Sequence, residues 1–135
     1  TANIGYALTR RGKKVAIIDT DIYGSNIPQI LEMEISEPET DDYGKITPPI
    51  IHGMEMMSTE LFAEEDRPIL WRGSMLKNMI NSFFYQVKWS KELDYVLIDA
   101  PAGTGDVMMD LKKIIPTAEV IIVTTPHEAA THRYY

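Results

Sequence analysis

Three aspartates and a pair of glycines carry most of the chemistry open to this chain. Asp19 and Asp21 close the run Val15-Ala16-Ile17-Ile18-Asp19-Thr20-Asp21, which continues through Ile22-Tyr23-Gly24-Ser25-Asn26-Ile27-Pro28. Asp99 closes a second run, Tyr95-Val96-Leu97-Ile98-Asp99, followed by Ala100-Pro101-Ala102-Gly103-Thr104-Gly105-Asp106. Each run reads as a buried strand that delivers a carboxylate at its C-terminal end and then turns through glycine. Ligands of open α/β sheets bind outside the carboxyl ends of the strands, and carboxylates there hold a hydrated Mg²⁺ or orient a water. Asp19 and Asp21 share one face if the strand continues between them. If the chain turns there, they diverge, one toward the metal's water shell and the other toward the attacking water. Gly103 and Gly105 allow close backbone approach to a phosphate. A single strand-ending Asp is more often a turn former. Two such runs, each followed by a glycine turn, favour a nucleotide and metal site.

The elements that must hold these residues alternate between strand and helix. A helix is expected from Thr1 to Arg11, with Gly12 at its C′ position, then a strand over Val15–Asp19 and a short helix from Pro28 to Leu31. The acidic segment Glu32–Asp42, with Pro38 inside it, reads as a solvated loop. A tight turn at Gly44 and the pair Pro48-Pro49 lead to a strand at Met54–Ser58. Ser74–Lys88 places Met75, Leu76, Met79, Ile80, Phe83, Phe84 and Val87 on one helical face, expected to pack on the sheet. Strand Tyr95–Asp99, helix Val107–Ile115 stopped by Pro116, strand Val120–Thr124 and a last helix after Pro126 complete the series. This order predicts an α/β fold with a doubly wound, mostly parallel sheet.

Composition narrows the function classes. The 135 residues, 44% of them hydrophobic, make one domain or part of one. Twenty acidic against 13 basic residues give a net charge of −7, which argues against broad nucleic-acid binding. There is no Cys, so disulfides and thiolate metal sites are excluded within these residues. No apolar run approaches a membrane span, and the expected location is cytoplasmic. His127 and His132 stand five apart, not at the i, i+4 spacing of a helical zinc site. His52 reads as structural or exposed. Both termini read as lying inside helical patterns, which implies a piece of a longer chain.

With these residues laid out, the chain resembles the Mrp family of iron–sulfur cluster carrier ATPases, of the deviant-Walker P-loop group that includes MinD and ParA. The markers are Ile18-Asp19-Thr20-Asp21-Ile22-Tyr23-Gly24 with Ile27-Pro28, Leu70-Trp71-Arg72-Gly73, Asp99 to Asp106, and Val123-Thr124-Thr125-Pro126. The family usually has Pro-Ser where this chain has Ser25-Asn26, Pro at Ser74, and Leu-Pro-Pro-Gly at Ala100-Pro101-Ala102-Gly103. The resemblance implies a P-loop NTPase sheet, incomplete at its N-terminus, with residues 1–135 forming the switch and base-binding portion of a single domain. It implies a phosphate-binding loop directly before Thr1 and a Cys-x-x-Cys beyond Tyr135, so the 135 residues alone are expected to bind ATP poorly and to associate or unfold. In that reading Asp21 orients the hydrolytic water and Asp19 and Asp99 support Mg²⁺. Gly103, Thr104 and Gly105 sense the γ-phosphate, and Thr125 and Pro126 lie near the adenine. The implied function is ATP hydrolysis coupled to cluster transfer, by a homodimer bridged by a [4Fe–4S] cluster and serving apo iron–sulfur proteins, with neither nucleic acid nor membrane as partner. A MinD- or ParA-like positioning ATPase and a non-hydrolysing interaction domain remain the alternatives.

Overall fold

The computed structural model describes residues 1–21, 24–62, 73–101 and 105–126. They fall into two compact units, Thr1–Pro101 and Ala102–Tyr135. In chain order the first unit comprises α1 (Ala2–Arg10), β1 (Val15–Asp19), α2 (Ile27–Ile30), β2 (Ile50–Ile51), β3 (Met54–Ser58), a 3₁₀ turn (Thr59–Phe62), α3 (Gly73–Tyr85) and β4 (Tyr95–Asp99). The strands form one sheet in the order β2-β3-β1-β4. β1 runs parallel to β3 and to β4, while β2 is antiparallel to β3. The fold class is as expected, a mostly parallel sheet layered with helices.

β1 takes the centre of the parallel set because all five of its residues are apolar or tolerate burial, and all five are buried. Alternation sends its side chains to opposite faces. Val15 and Ile17 join Ala2, Ile27, Leu31, Met54 and Met56 on one side. Ile18 joins Met57, Ile46, Phe83 and Val87 on the other. The helices α1 and α2 therefore cover one face, and α3 covers the opposite one. Gly5 sets how closely α1 can approach: a Cβ there would lie 2.9 Å from Ile17 Cδ1 and 3.0 Å from Met54 Sδ. α1 ends as predicted. Gly12, at φ +77°, donates its amide to Thr9 O, and Lys13 donates to Leu8 O, which is the Schellman arrangement.

Two features of this unit depart from expectation. Met75, expected on the core stripe of α3, is exposed, while Met79, Ile80 and Phe83 of the same stripe pack; the side chain of Leu76 lies outside those described. β2 was not foreseen. It forms because His52 and Gly53, at φ +49° and +79°, make the two-residue turn that a tight hairpin requires. His52 has a structural part here, with Nε2 3.0 Å from Leu31 O and its ring edge-on to Tyr6.

In the second unit, α4 (Gly105–Ile114) forms where a helix was expected, with Val107 and Leu111 buried on one side. Val120–Thr124, expected as a strand, is not one. Its residues are exposed, Val123 to 83%. A strand needs the backbone of a neighbour for its N–H and C=O groups, and none pairs with it among the described residues. The helix expected after Pro126, His127, His132 and most of Leu70-Trp71-Arg72-Gly73 lie outside the described residues. No helix among the described residues is long and apolar enough to cross a membrane.

Candidate functional site

Three parallel strands end in a polar row. Asp19 lies in register with Ser58 on one side and with Asp99 on the other. Among the described residues, the buried polar or charged ones are Asp19, Thr20, Ser58 and Thr59. They are the last residue of β1 and of β3, each with the residue that follows. Buried polar groups are tolerated where they are hydrogen-bonded, and here every one is.

Asp19 is held at both carboxylate oxygens. Its Oδ1 accepts the Asp21 amide at 3.0 Å and its Oδ2 accepts the Ser25 hydroxyl at 2.8 Å. Burial pushes the Asp19 carboxyl up from its ordinary pKa. The Ser25 and Asp21 hydrogen bonds pull it back, and the Asp99 carboxylate adds to the upward push. The two carboxylates are thus close enough to repel, which is the arrangement a cation relieves.

Asp21 lies just beyond β1, where the chain has turned. Its amide folds back on the Asp19 carboxylate. Its Oδ1 accepts the Gly24 amide at 3.1 Å. A Cβ on Gly24 would come within 3.1 Å of Asp21 Oδ2, so glycine allows the loop to fold back on the carboxylate. Thr20 joins the two motifs: its amide and its hydroxyl both donate to Asp99 O, at 2.9 and 2.8 Å. Asp99 Oδ1 in turn accepts the hydroxyl of Thr1, the residue before α1.

The residues fit a magnesium ion. Mg²⁺ is usually held by one or two carboxylates, with water and substrate phosphates completing its shell. Asp19 and Asp99 supply such a pair, in register at the ends of neighbouring strands. An iron–sulfur cluster is not accommodated, because the chain has no Cys.

A sequence model described as the NUBPL iron-transfer P-loop NTPase family matches residues 1–134. The chain belongs to this family. Among its curated relatives, an iron-sulfur cluster carrier protein of Bacillus subtilis is 43% identical over 130 residues, covering 96% of this chain and 36% of the relative. One from Synechocystis is 39% identical over 127 residues, covering 92% and 36%. A nucleotide-binding protein from Archaeoglobus fulgidus, solved in complex with ADP, superposes with a TM-score of 0.71 at 30% identity, covering 98% of this chain and 51% of that one. The chain thus spans about a third of the length of these curated relatives.

Of the residues that the resemblance to this iron-transfer family singled out, the structure brings Asp19, Asp21 and Asp99 together. Gly103 and Thr104 lie outside the described residues, and Gly105 begins α4. Thr125 and Pro126 lie in an exposed irregular segment of the second unit. Sequence reasoning missed Ser25, Ser58 and Thr59. The signal for Ser58 was available, since it ends an apolar strand with a polar side chain, as Asp19 and Asp99 do.

Proposed function

We propose that this chain is the switch and base-binding part of an ATPase that carries iron–sulfur clusters, working within a longer protein. The observation that carries this reading is the polar row: Asp19 and Asp99 side by side at the carboxyl edge, with Asp21 beyond them. In this proposal the two units are parts of one nucleotide-binding domain. A phosphate-binding loop of the family's Gly-Lys type has no counterpart in the 135 residues and is supplied by polypeptide outside them.

Asp19 and Asp99 hold the water shell of Mg²⁺, which neutralises the charge that builds on the phosphates. Asp21, steered by the Gly24 amide, orients the attacking water. Its effect is on the transition state more than on nucleotide binding. Gly103 to Gly105 follow a strand-terminal Asp and lead into α4, the sequence setting of a loop that responds to the γ-phosphate. Thr125 and Pro126 are proposed to border the adenine. The cluster is cargo held by cysteines outside this chain, between the subunits of a homodimer, and is passed to apo iron–sulfur proteins in the cytoplasm.

The test uses the whole protein that contains this chain. Mg²⁺-dependent nucleotide binding is measured by calorimetry for the original and for Asp99→Asn. The variant should need about tenfold more Mg²⁺ for half-saturation; an unchanged titration removes Asp99 from the site. Anaerobic reconstitution should yield a cluster bridging two subunits. Failure there, with ATP hydrolysis intact, would overturn the carrier function and leave the ATPase.

A further inference from the structure

Three consecutive residues at the end of β3 reach three separate points on the segment that follows β1. The Ser58 hydroxyl lies 2.7 Å from that of Ser25, Thr59 Oγ1 donates to Asp21 O at 3.2 Å, and Glu60 Oε1 accepts Gln29 Nε2 at 2.9 Å. The hydroxyl pair has a direction that can be worked out from its neighbours. Ser25 has one proton, and it goes to Asp19 Oδ2, because an ionised carboxylate only accepts. Ser58 must therefore donate to Ser25, leaving a lone pair on Ser58 that accepts the Glu60 amide at 3.1 Å. The result is a one-way line from the Glu60 amide through Ser58 and Ser25 to Asp19. Its far end is firm: Ser58 is fully buried, on a strand paired on both sides.

We infer that Ser25, backed by Ser58, is a positioning residue that fixes the Asp19 carboxylate for the magnesium site. Without it, Asp19 Oδ2 loses the one side-chain donor found for it among the described residues. Its Oδ1 keeps the Asp21 amide, which belongs to the segment that follows β1. The ties from Thr59 to Asp21 O and from Gln29 to Glu60 would remain, but the one that ends on the Asp19 carboxylate would be lost. Hydroxyl lines of this kind strengthen along their length, so the two serines act as one device. This inference rests on the proposed role of Asp19 at a nucleotide–metal site.

The whole protein is tested with Ser25→Ala, Ser25→Thr, Ser58→Ala and the Ser25→Ala/Ser58→Ala pair. The first readout is amide hydrogen exchange without nucleotide or metal. Ser25→Ala should speed exchange at the Asp21 amide about tenfold and leave β1 and β4 unchanged. The second is the Mg²⁺ requirement for nucleotide binding, which should rise about tenfold in Ser25→Ala. It should return to within about twofold of the original in Ser25→Thr, which keeps the donor. Ser58→Ala should shift it less, and the pair no more than Ser25→Ala alone, because both act through one line. Asp99→Asn, which leaves this line intact, separates the ways of failing. If Asp99→Asn shifts the Mg²⁺ requirement while Ser25→Ala moves neither readout, the positioning role is overturned and the site stands. If neither variant moves the Mg²⁺ requirement, the site itself falls, and the positioning role with it.

Discussion

Val15–Asp19 and Val120–Thr124 are the same kind of segment on paper: five residues, mostly apolar and β-branched, running toward a turn. Their fates differ completely. Every residue of the first is buried and its backbone is paired on both sides, by β3 and by β4. The second forms no strand, and Ile121 and Val123 are exposed to 76% and 83%. The difference lies not in propensity but in company. A strand is a contract between backbones, and an apolar five-residue run without a neighbour to pair with has nothing to bury itself against.

Matched truncations in the whole protein that contains this chain sharpen this contrast most. Ile17→Ala should lower stability by about 2–5 kcal/mol, as expected for a buried aliphatic side chain. Ile121→Ala should change it by less than about 0.5 kcal/mol. Urea denaturation monitored by circular dichroism reads both, and an equal loss at Ile121 would break the comparison.

The chemistry at the end of β1 gives the next largest effect. In the whole protein, Asp21→Ala should slow ATP hydrolysis about a hundredfold, close to 2.7 kcal/mol, while nucleotide binding changes by less than about threefold. Equal losses in binding and turnover would make Asp21 a structural residue or a metal anchor. Packing around β1 comes next. Gly5→Ala puts a methyl group against Ile17 and Met54, and the overpacking should destabilise by about 1–3 kcal/mol. A thermal melt at or above the original would show that α1 can move away freely.

The smallest effect comes from Asp19 and depends on pH. Because burial raises its pKa in the fold, the folded chain binds this proton more readily than the unfolded chain does. The group therefore lowers stability as the pH rises through its folded value, and has no such effect below the ordinary carboxylate range. Asp19→Asn keeps an acceptor for the Asp21 amide. It should raise the melting temperature at neutral pH, and the gain should vanish below about pH 4. A gain that persisted in acid would trace to packing and not to charge.

Much of this was legible in the order of residues. The apolar runs closing on Asp19 and Asp99, the glycine stop at Gly12 and the strand at Met54–Ser58 are local patterns, and each became the element it implied. So was the family, since Tyr23-Gly24 with Ile27-Pro28, and Trp71-Arg72-Gly73, are specific in type and spacing. Residue type did not reveal which polar groups act together. Ser25 stood only as a departure from the family's Pro in a turn, and Ser58 only as the end of a strand. Their line to Asp19 exists because β1 and β3, separated in sequence by an acidic loop and a hairpin, lie in parallel register. Nor does the apolar character of Val120–Thr124 say whether it pairs. The sequence by itself determined where carboxylates end strands and which faces are apolar, because propensity and periodicity act over a few residues. The tertiary structure alone decided which strand ends become neighbours and which apolar run stays bare, because hydrogen-bond partners and burial come from distant parts of the chain.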